Sequence, residues 1–381
     1  MSDPSAAPRY TVLRERHEAL GASFTDFGGW QMPVRYSSDL AEHHAVRQAA
    51  GLFDISHMAE FRIEGADAAA YLDYALAGRL STMAVGKAKY SLILTEAGGI
   101  VDDVIVYRLG EERYLIIANA GNRDAASAAL ASRTRDVDVV VSDVSDDYAL
   151  LAVQGPAAEA IVAATAGIED VSIPWAEQKY YAWASATFAG NALLLARTGY
   201  TGEDGFELLV RTADAGALWD ALLAAGEPHG LVPAGLAARD TLRLEAGMPL
   251  YGNELSVDTR PAQAGLGRVV ASDKEEFVGK SSVPVLRQAQ QPGEGSDAPV
   301  LVGLEAEGRR AGRAGYAVVD ADGHALGMIT SGALSPTLGH PIAMAYLAPS
   351  SAEVGTSVFL DVRGTKIPAT VTALPFYRRK K

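Results

Sequence analysis

The 381-residue sequence has no cysteine. That one absence removes disulfides, thiolate metal sites and a cysteine nucleophile together, so any sulfur chemistry must use a partner's sulfur. The sequence also lacks an apolar stretch long enough to span a bilayer. Met1 to Tyr10 carries Asp3 and two prolines with neither a basic lead nor an apolar core, which predicts a cytoplasmic protein without a secretory or transit signal. Positive charge is scarce. The 33 Lys and Arg against 47 Asp and Glu give a net charge of -14, which argues against broad binding to nucleic acid or an anionic membrane. An anionic small ligand needs only a few arginines focused in one cleft. Metal motifs are missing as well: there is no His-x3-His, and the adjacent His43 and His44 point to different sides of a predicted helix. No metal is therefore expected, and His57 reads as a hydrogen-bonded structural residue. Gly279-Lys280-Ser281 ends like a phosphate loop, but Lys274 stands where the first glycine is required, and Gly265-Leu266-Gly267 is a bare G-x-G. No nucleotide fold is supported.

What is present is the balance of a globular protein, 49% apolar and 21% charged, at a length that suggests two or three domains. The stretch Arg197 to Leu208 stands out. Apolar runs enter and leave it, so it reads as two strands joined by a loop holding Gly199, Gly202 and Gly205. It presents an aromatic, Tyr200, and a carboxylate, Glu207. By spacing alone this is either a pocket rim or an ordinary hairpin with Glu207 in water. Lys87 to Thr95 and Ile100 to Leu109 predict a second hairpin around Glu96-Ala97-Gly98-Gly99, with Asp102 and Asp103 on opposite faces of its second strand. Asp103 shares its face with Val101, Ile105 and Tyr107, which is half of a binding site or else a surface acidic pair.

Helices are predicted over Ser38 to Ala50, Ala66 to Ala77, Arg123 to Arg133, Ala157 to Ala166, Thr212 to Ala225 and Pro233 to Ala246. In the last of these, Arg239 and Arg243 share a face and Asp240 is placed to pair with Arg243, giving either an exposed ion-paired helix or an arginine aimed at a carboxylate in a cleft. Phe27-Gly28-Gly29-Trp30-Gln31-Met32-Pro33 reads as a structured loop closed by a helix-breaking proline. Residues 288–299 form the clearest linker, polar and rich in proline and glycine. Beyond it come about six short strands in roughly eighty residues, the pattern of a small antiparallel barrel or sandwich. The basic end, Pro375 to Lys381, leaves Arg378 close to the last strand.

Taken in order, Phe27 to Pro33, Gly51 to Met58, Gly98 to Tyr107, Arg197 to Leu208, Ala237 to Gly247, and Thr330-Ser331-Gly332 with Ser335 to Gly339 resemble the aminomethyltransferase of the glycine cleavage system, the T-protein family. The resemblance implies an α+β fold of three domains in a cloverleaf around a central folate cleft, the last a Greek-key barrel. Residues 1–287 would form the folate-binding region, with an inserted subdomain at about 53–145, then the linker 288–299 and the barrel 300–381. The implied reaction moves a methylene from the aminomethylated lipoyl arm of the H-protein to tetrahydrofolate, with no metal. By motif match Asp103 would be the essential carboxylate, ionised at neutral pH, orienting the folate amine and stabilising charge at nitrogen. Tyr90, Ile105, Tyr107, Asn119, Tyr180, Tyr200 and Glu207 would surround the folate, Glu207 at the donor edge of the pterin. Arg239 and Arg378 would answer carboxylates. Pro261-Ala262-Gln263-Ala264-Gly265-Leu266-Gly267-Arg268 departs from the family pattern of proline, a large apolar residue and Glu, then Gly-Leu-Gly-Trp. Two other readings share the scaffold: a folate-dependent demethylase of a small molecule, and a non-catalytic folate-binding or assembly factor. A fused dimethylglycine or sarcosine dehydrogenase is disfavoured, because no strand-linked G-x-G-x-x-G is present.

Overall fold

The computed structural model describes residues 7–282 and 298–379. Residues 288–297 of the expected linker, and Lys380 and Lys381 of the basic end, lie outside the described residues. The chain divides into two compact units, one drawn from Met1–Leu72, Leu80–Tyr90 and Val104–Asp240, the other from Asp73–Arg79, Ser91–Asp103 and Thr241–Lys381.

The first unit holds a seven-stranded sheet in the order Ile168–Glu169, Trp183–Phe188, Asn191–Ala196, Gly205–Arg211, Tyr148–Gln154, Ala50–Asp54 and Leu231–Pro233. Its strands pair antiparallel except the last, which runs parallel to Ala50–Asp54. In Gly205–Arg211 the alternate residues Phe206, Leu208 and Val210 join the core formed with Ile161 and Val162 of the helix Ala158–Ala164 and Leu218, Trp219 and Leu222 of the helix Thr212–Gly226. Each large apolar side chain buried there contributes roughly 1.5–3 kcal/mol. Period-two alternation then puts Glu207 on the opposite face, in register with Ala152 and Ala196.

A five-stranded sheet follows the order Ala88–Leu94, Ile100–Gly110, Arg113–Ala118, Ala59–Glu64 and Val140–Asp143. Along Ile100–Gly110, Ile100, Asp102, Val104 and Val106 are buried while Val101, Asp103 and Ile105 are half-buried. The two faces are those expected from alternation, but Asp102 is fully buried, so the pair does not lie at the surface. The expected loop at Phe27 to Pro33 is instead a hairpin of Ser23–Phe27 with Trp30–Arg35. Gly28 and Gly29 both adopt positive φ, the backbone a tight two-residue turn demands, and Pro33 sits within the second strand. Proline is tolerated because a two-stranded ribbon consists only of edges.

The second unit contains a closed barrel of six antiparallel strands, in the order Val300–Ala306, Pro341–Leu347, Ala325–Leu334, Ala317–Val319, Ser357–Val362 and Thr365–Thr372. The first strand lies beside the fourth, which is the Greek-key arrangement. Val302, Leu304, Ile329, Ala345, Leu360 and Val371 are among the residues that fill it. Where the sequence departs from the family pattern, Gln263 receives the Arg260 N–H on its amide oxygen at 3.0 Å and donates to the Pro299 carbonyl at 3.2 Å. A carboxylate could accept the first bond but could not donate the second. Arg268 is exposed, so its charge stays in water.

The helix Leu236–Glu245 begins later than expected, because Pro233 closes the short strand Leu231–Pro233. The expectation of an exposed helix face is corrected at Arg243. Arg243 is 1% exposed and its guanidinium donates to Glu254, itself 0% exposed, at 3.0 Å and to the Ser331 hydroxyl at 2.7 Å. Glu254 also accepts the Leu250 N–H at 2.8 Å. Glu245, at the helix end, accepts from the Ser335 hydroxyl at 2.5 Å and from the Thr337 N–H and hydroxyl at 3.0 and 2.7 Å. Removing one member of a buried ion pair strands the other. Arg243→Ala is therefore expected to cost about 3–5 kcal/mol in thermal unfolding, with part of the loss recovered by adding Glu254→Gln. A melting profile equal to wild type would show that the pair contributes nothing.

Candidate functional site

Gly199 and Gly205 are required by one buried side chain. A Cβ on Gly199 would lie 2.0 Å from Gln154 Oε1, and one on Gly205 would lie 2.4 Å from its Nε2. Gln154 fills that space and holds the loop, donating to the Thr198 carbonyl at 3.0 Å and accepting the Thr201 hydroxyl at 2.9 Å. Arg47 donates to the Thr201 carbonyl at 2.7 Å and to Glu203 at 2.9 Å, and Arg197 reaches the Gln178 carbonyl at 2.9 Å and Asp204. The loop between the two strands is thus a fixed rim rather than a loose connection.

Inside it, Glu207 is half-buried and its Oε2 accepts the Thr198 hydroxyl. The Tyr107 hydroxyl lies 3.3 Å from the same oxygen and 3.1 Å from Thr198 Oγ1. Burial pushes the Glu207 carboxyl above its ordinary pKa, while the Thr198 hydrogen bond, the Arg239 charge and the Tyr107 hydrogen bond favour the ionised form. The Tyr107 phenol is pushed far up, first by burial and then by the Glu207 charge. Arg239 stacks its guanidinium over Tyr200, 4.6 Å from the ring centroid. The phenol of Tyr181, which the sequence reading passed over, is pushed up to about 12 by burial first and then by Tyr180 and the Glu207 charge.

Of the residues expected around a ligand, Tyr107, Tyr200, Glu207 and Arg239 form this one group. Ile105 precedes Tyr107 on the same strand face and is half-buried. Tyr90 is half-buried on Ala88–Leu94, and Asn119 follows Arg113–Ala118 as the cap of a short helix at Ala120–Asn122. Tyr180 is exposed and meets Tyr181 edge-on at 5.1 Å. In the other unit, Asp103 stands half-buried near the start of Ile100–Gly110. There the Tyr251 phenol is raised by burial and then by the charges of Asp102, Asp103 and Asp258. Arg378 is exposed beyond the last barrel strand.

His57 departs from expectation. It is 2% exposed, yet neither ring nitrogen has a hydrogen-bond partner among the described residues. Burial, then the Arg239 charge, pushes its pKa down to about 3, with Asp54 opposing. His17, by contrast, is both buried and hydrogen-bonded: its Nε2 lies 2.8 Å from Asp54 and its Nδ1 lies 2.9 Å from the Tyr36 hydroxyl. Sequence reasoning also missed Thr198 and Gln154. The available signal for Thr198 was a small hydroxyl residue two positions before Tyr200, inside the glycine loop.

The raised Glu207 pKa fixes a sign. The folded protein holds this proton more tightly than the unfolded chain does, so stability is fully present below the unfolded carboxylate range and is lost as pH rises through the folded value. Glu207→Gln is accordingly expected to melt higher than wild type at pH 7.5, the gain shrinking toward pH 4, in paired melts across that range. A gain that grows on acidification would reverse the argument.

Comparison with known proteins covers two successive stretches of the chain. Residues 13–274 match the family described as GCVT N-terminal domain, and residues 300–378 match the one described as Glycine cleavage T-protein C-terminal barrel domain. A protein named Aminomethyltransferase from Saccharopolyspora erythraea is 55% identical over 98% of this chain and 99% of its own length. Another of that name, from Streptomyces avermitilis, is 54% identical over 99% and 100%. A solved structure described as glycine cleavage system aminomethyltransferase T from Bartonella henselae superposes with a TM-score of 0.88 at 38% identity, covering 98% of this chain and 99% of that one. With both domains matched in order over nearly the whole chain, the protein belongs to the glycine cleavage T-protein family.

Proposed function

We propose that this protein is a cytoplasmic aminomethyltransferase that takes the methylene of an aminomethyl group from the lipoyl arm of the H-protein and passes it to tetrahydrofolate. Its support is the full-length identity to relatives named Aminomethyltransferase, together with the Glu207 carboxylate near tyrosines, whose Oε1 accepts no hydrogen bond from the described residues. The carbon–sulfur and carbon–nitrogen bonds of the thioaminal break. Two carbon–nitrogen bonds form to the folate, whose two N–H protons leave with the sulfur and the nitrogen. The products are methylenetetrahydrofolate, the dihydrolipoyl arm and ammonia. A chain without cysteine suits this chemistry, because the sulfur arrives on the partner.

In this reading Asp103 is the catalytic carboxylate. It orients the folate amine and stabilises the positive charge that develops at nitrogen as ammonia departs. Glu207 accepts from the donor edge of the pterin, and Tyr90, Ile105, Tyr107, Tyr180 and Tyr200 supply the apolar faces against which a flat ring packs. Arg239 balances Glu207, Arg378 answers the carboxylates of the folate tail, and Asn119 adds a polar contact.

The test is ammonia and methylenetetrahydrofolate release from tetrahydrofolate and aminomethylated H-protein. Stoichiometric release is expected from wild type, falling about 10²–10³-fold in Asp103→Asn while folate still binds within a modest factor. Loss of folate binding with retained turnover per bound folate would sink the catalytic role of Asp103. Wild-type protein that binds folate but releases neither product would mean that the donor is not the H-protein arm. Glu207→Ala should weaken folate in a direct titration, and an unchanged dissociation constant removes that residue from the site.

A further inference from the structure

The two oxygens of Glu207 are not equivalent. Oε2 takes the Thr198 hydroxyl and lies within 3.3 Å of the Tyr107 hydroxyl, whereas Oε1 receives no hydrogen bond from any described residue. Thr198 and Tyr107 are 1% and 2% exposed, so these hydroxyls have little water to turn to. Each hydroxyl has one proton to give. Thr198 gives its proton to Glu207 Oε2, and Tyr107 gives its own either to the same oxygen at 3.3 Å or to Thr198 Oγ1 at 3.1 Å, so both hydroxyls serve that one carboxylate oxygen, directly or through Thr198.

The Thr198 hydroxyl is also spare as far as the loop is concerned. Gln154 holds this segment through the Thr198 carbonyl, and Arg47 and Arg197 pin its flanks. A side chain of the same shape without the hydroxyl leaves every one of those bonds in place. The hydroxyl serves the carboxylate.

We propose that Thr198 is a positioning residue for tetrahydrofolate, its hydroxyl tying down one oxygen of Glu207 so that the other is presented to the N–H donors of the pterin. This rests on the folate reading above and deepens it. A carboxylate free to rotate would lose side-chain freedom on binding, and one tethered through Oε2 has already done so. The hydroxyl also favours the ionised carboxylate against burial, so its loss moves the onset of weak binding on acidification to higher pH.

The experiment is a titration of wild type, Thr198→Val and Thr198→Ser with 5-formyltetrahydrofolate, a folate that cannot accept the one-carbon unit, from pH 5.5 to 8.5. Thr198→Val is expected to bind about tenfold more weakly at pH 7.5, the scale of one hydrogen bond to a charged group, and to lose affinity at a higher pH than wild type. Thr198→Ser, which restores only the hydroxyl, should recover both the affinity and the pH profile. If Thr198→Val fails to fold, Thr198→Ala is read against Thr198→Ser in the same way. Wild-type affinity and profile in the hydroxyl-free variant overturn the positioning role alone, as does a serine variant no better than valine. Failure of the wild type to bind this folate at any pH overturns the folate reading and the proposal with it.

Discussion

A carboxylate held partly out of water needs partners, and the central strand of the first unit is built to supply them. Phe206, Leu208 and Val210 commit one face of Gly205–Arg211 to the core beneath the helix Thr212–Gly226, which leaves Glu207 no choice of side. Leu209, two positions on along the same face, is buried, and Glu207 itself is half-buried. Leaving it bare there would cost several kcal/mol or force it to neutralise. Two hydroxyls and a guanidinium meet that demand instead, and each comes from a different element: Thr198 from the loop, Tyr107 from Ile100–Gly110, and Arg239 from Leu236–Glu245.

The loop that delivers Thr198 depends in turn on a side chain that never reaches the carboxylate. Gln154 lies opposite Gly205 in the sheet register and occupies the volume that side chains at Gly199 and Gly205 would need. Glycine is used at these two positions for space, since neither needs a positive φ, whereas Gly202 does adopt one. One amide with both a donor and an acceptor can hold two points of a turn at once, the Thr198 carbonyl and the Thr201 hydroxyl. Shape, rather than backbone flexibility, is what the glycine spacing records.

Much of this was legible in the sequence wherever alternation carried the information. The faces of Ile100–Gly110, the strand pair around Arg197 to Leu208 and the six barrel strands all follow from period-two patterning with turn residues between. Failures came where a residue's role was set by a distant partner. Pro33 and Pro233 look like helix punctuation locally, yet both end in strands because edge positions tolerate a missing N–H. Arg243 looked exposed because its neighbours are charged, and a buried partner, Glu254, comes eleven positions later. The sequence pointed to His57, beside a conspicuous motif, as a hydrogen-bonded histidine, while His17 is buried and joined to Asp54 across 37 positions. Composition has no access to pairings of that range.

The charges around Glu207 add a constraint on what can occupy the space beside it. His57 is held neutral at physiological pH by burial and by Arg239, so it contributes a polar ring but no charge. Burial pulls Glu207 toward its neutral form, and the Thr198 hydroxyl, Arg239 and the Tyr107 hydroxyl draw it back toward the anion. In the proposed folate reading the pterin is the part of the ligand that meets this group. Its N–H edge faces the Glu207 oxygen that accepts no hydrogen bond from the described residues. Its flat ring packs near Tyr200, over which the Arg239 guanidinium lies 4.6 Å from the ring centroid, while the carboxylates of the folate tail are left to Arg378.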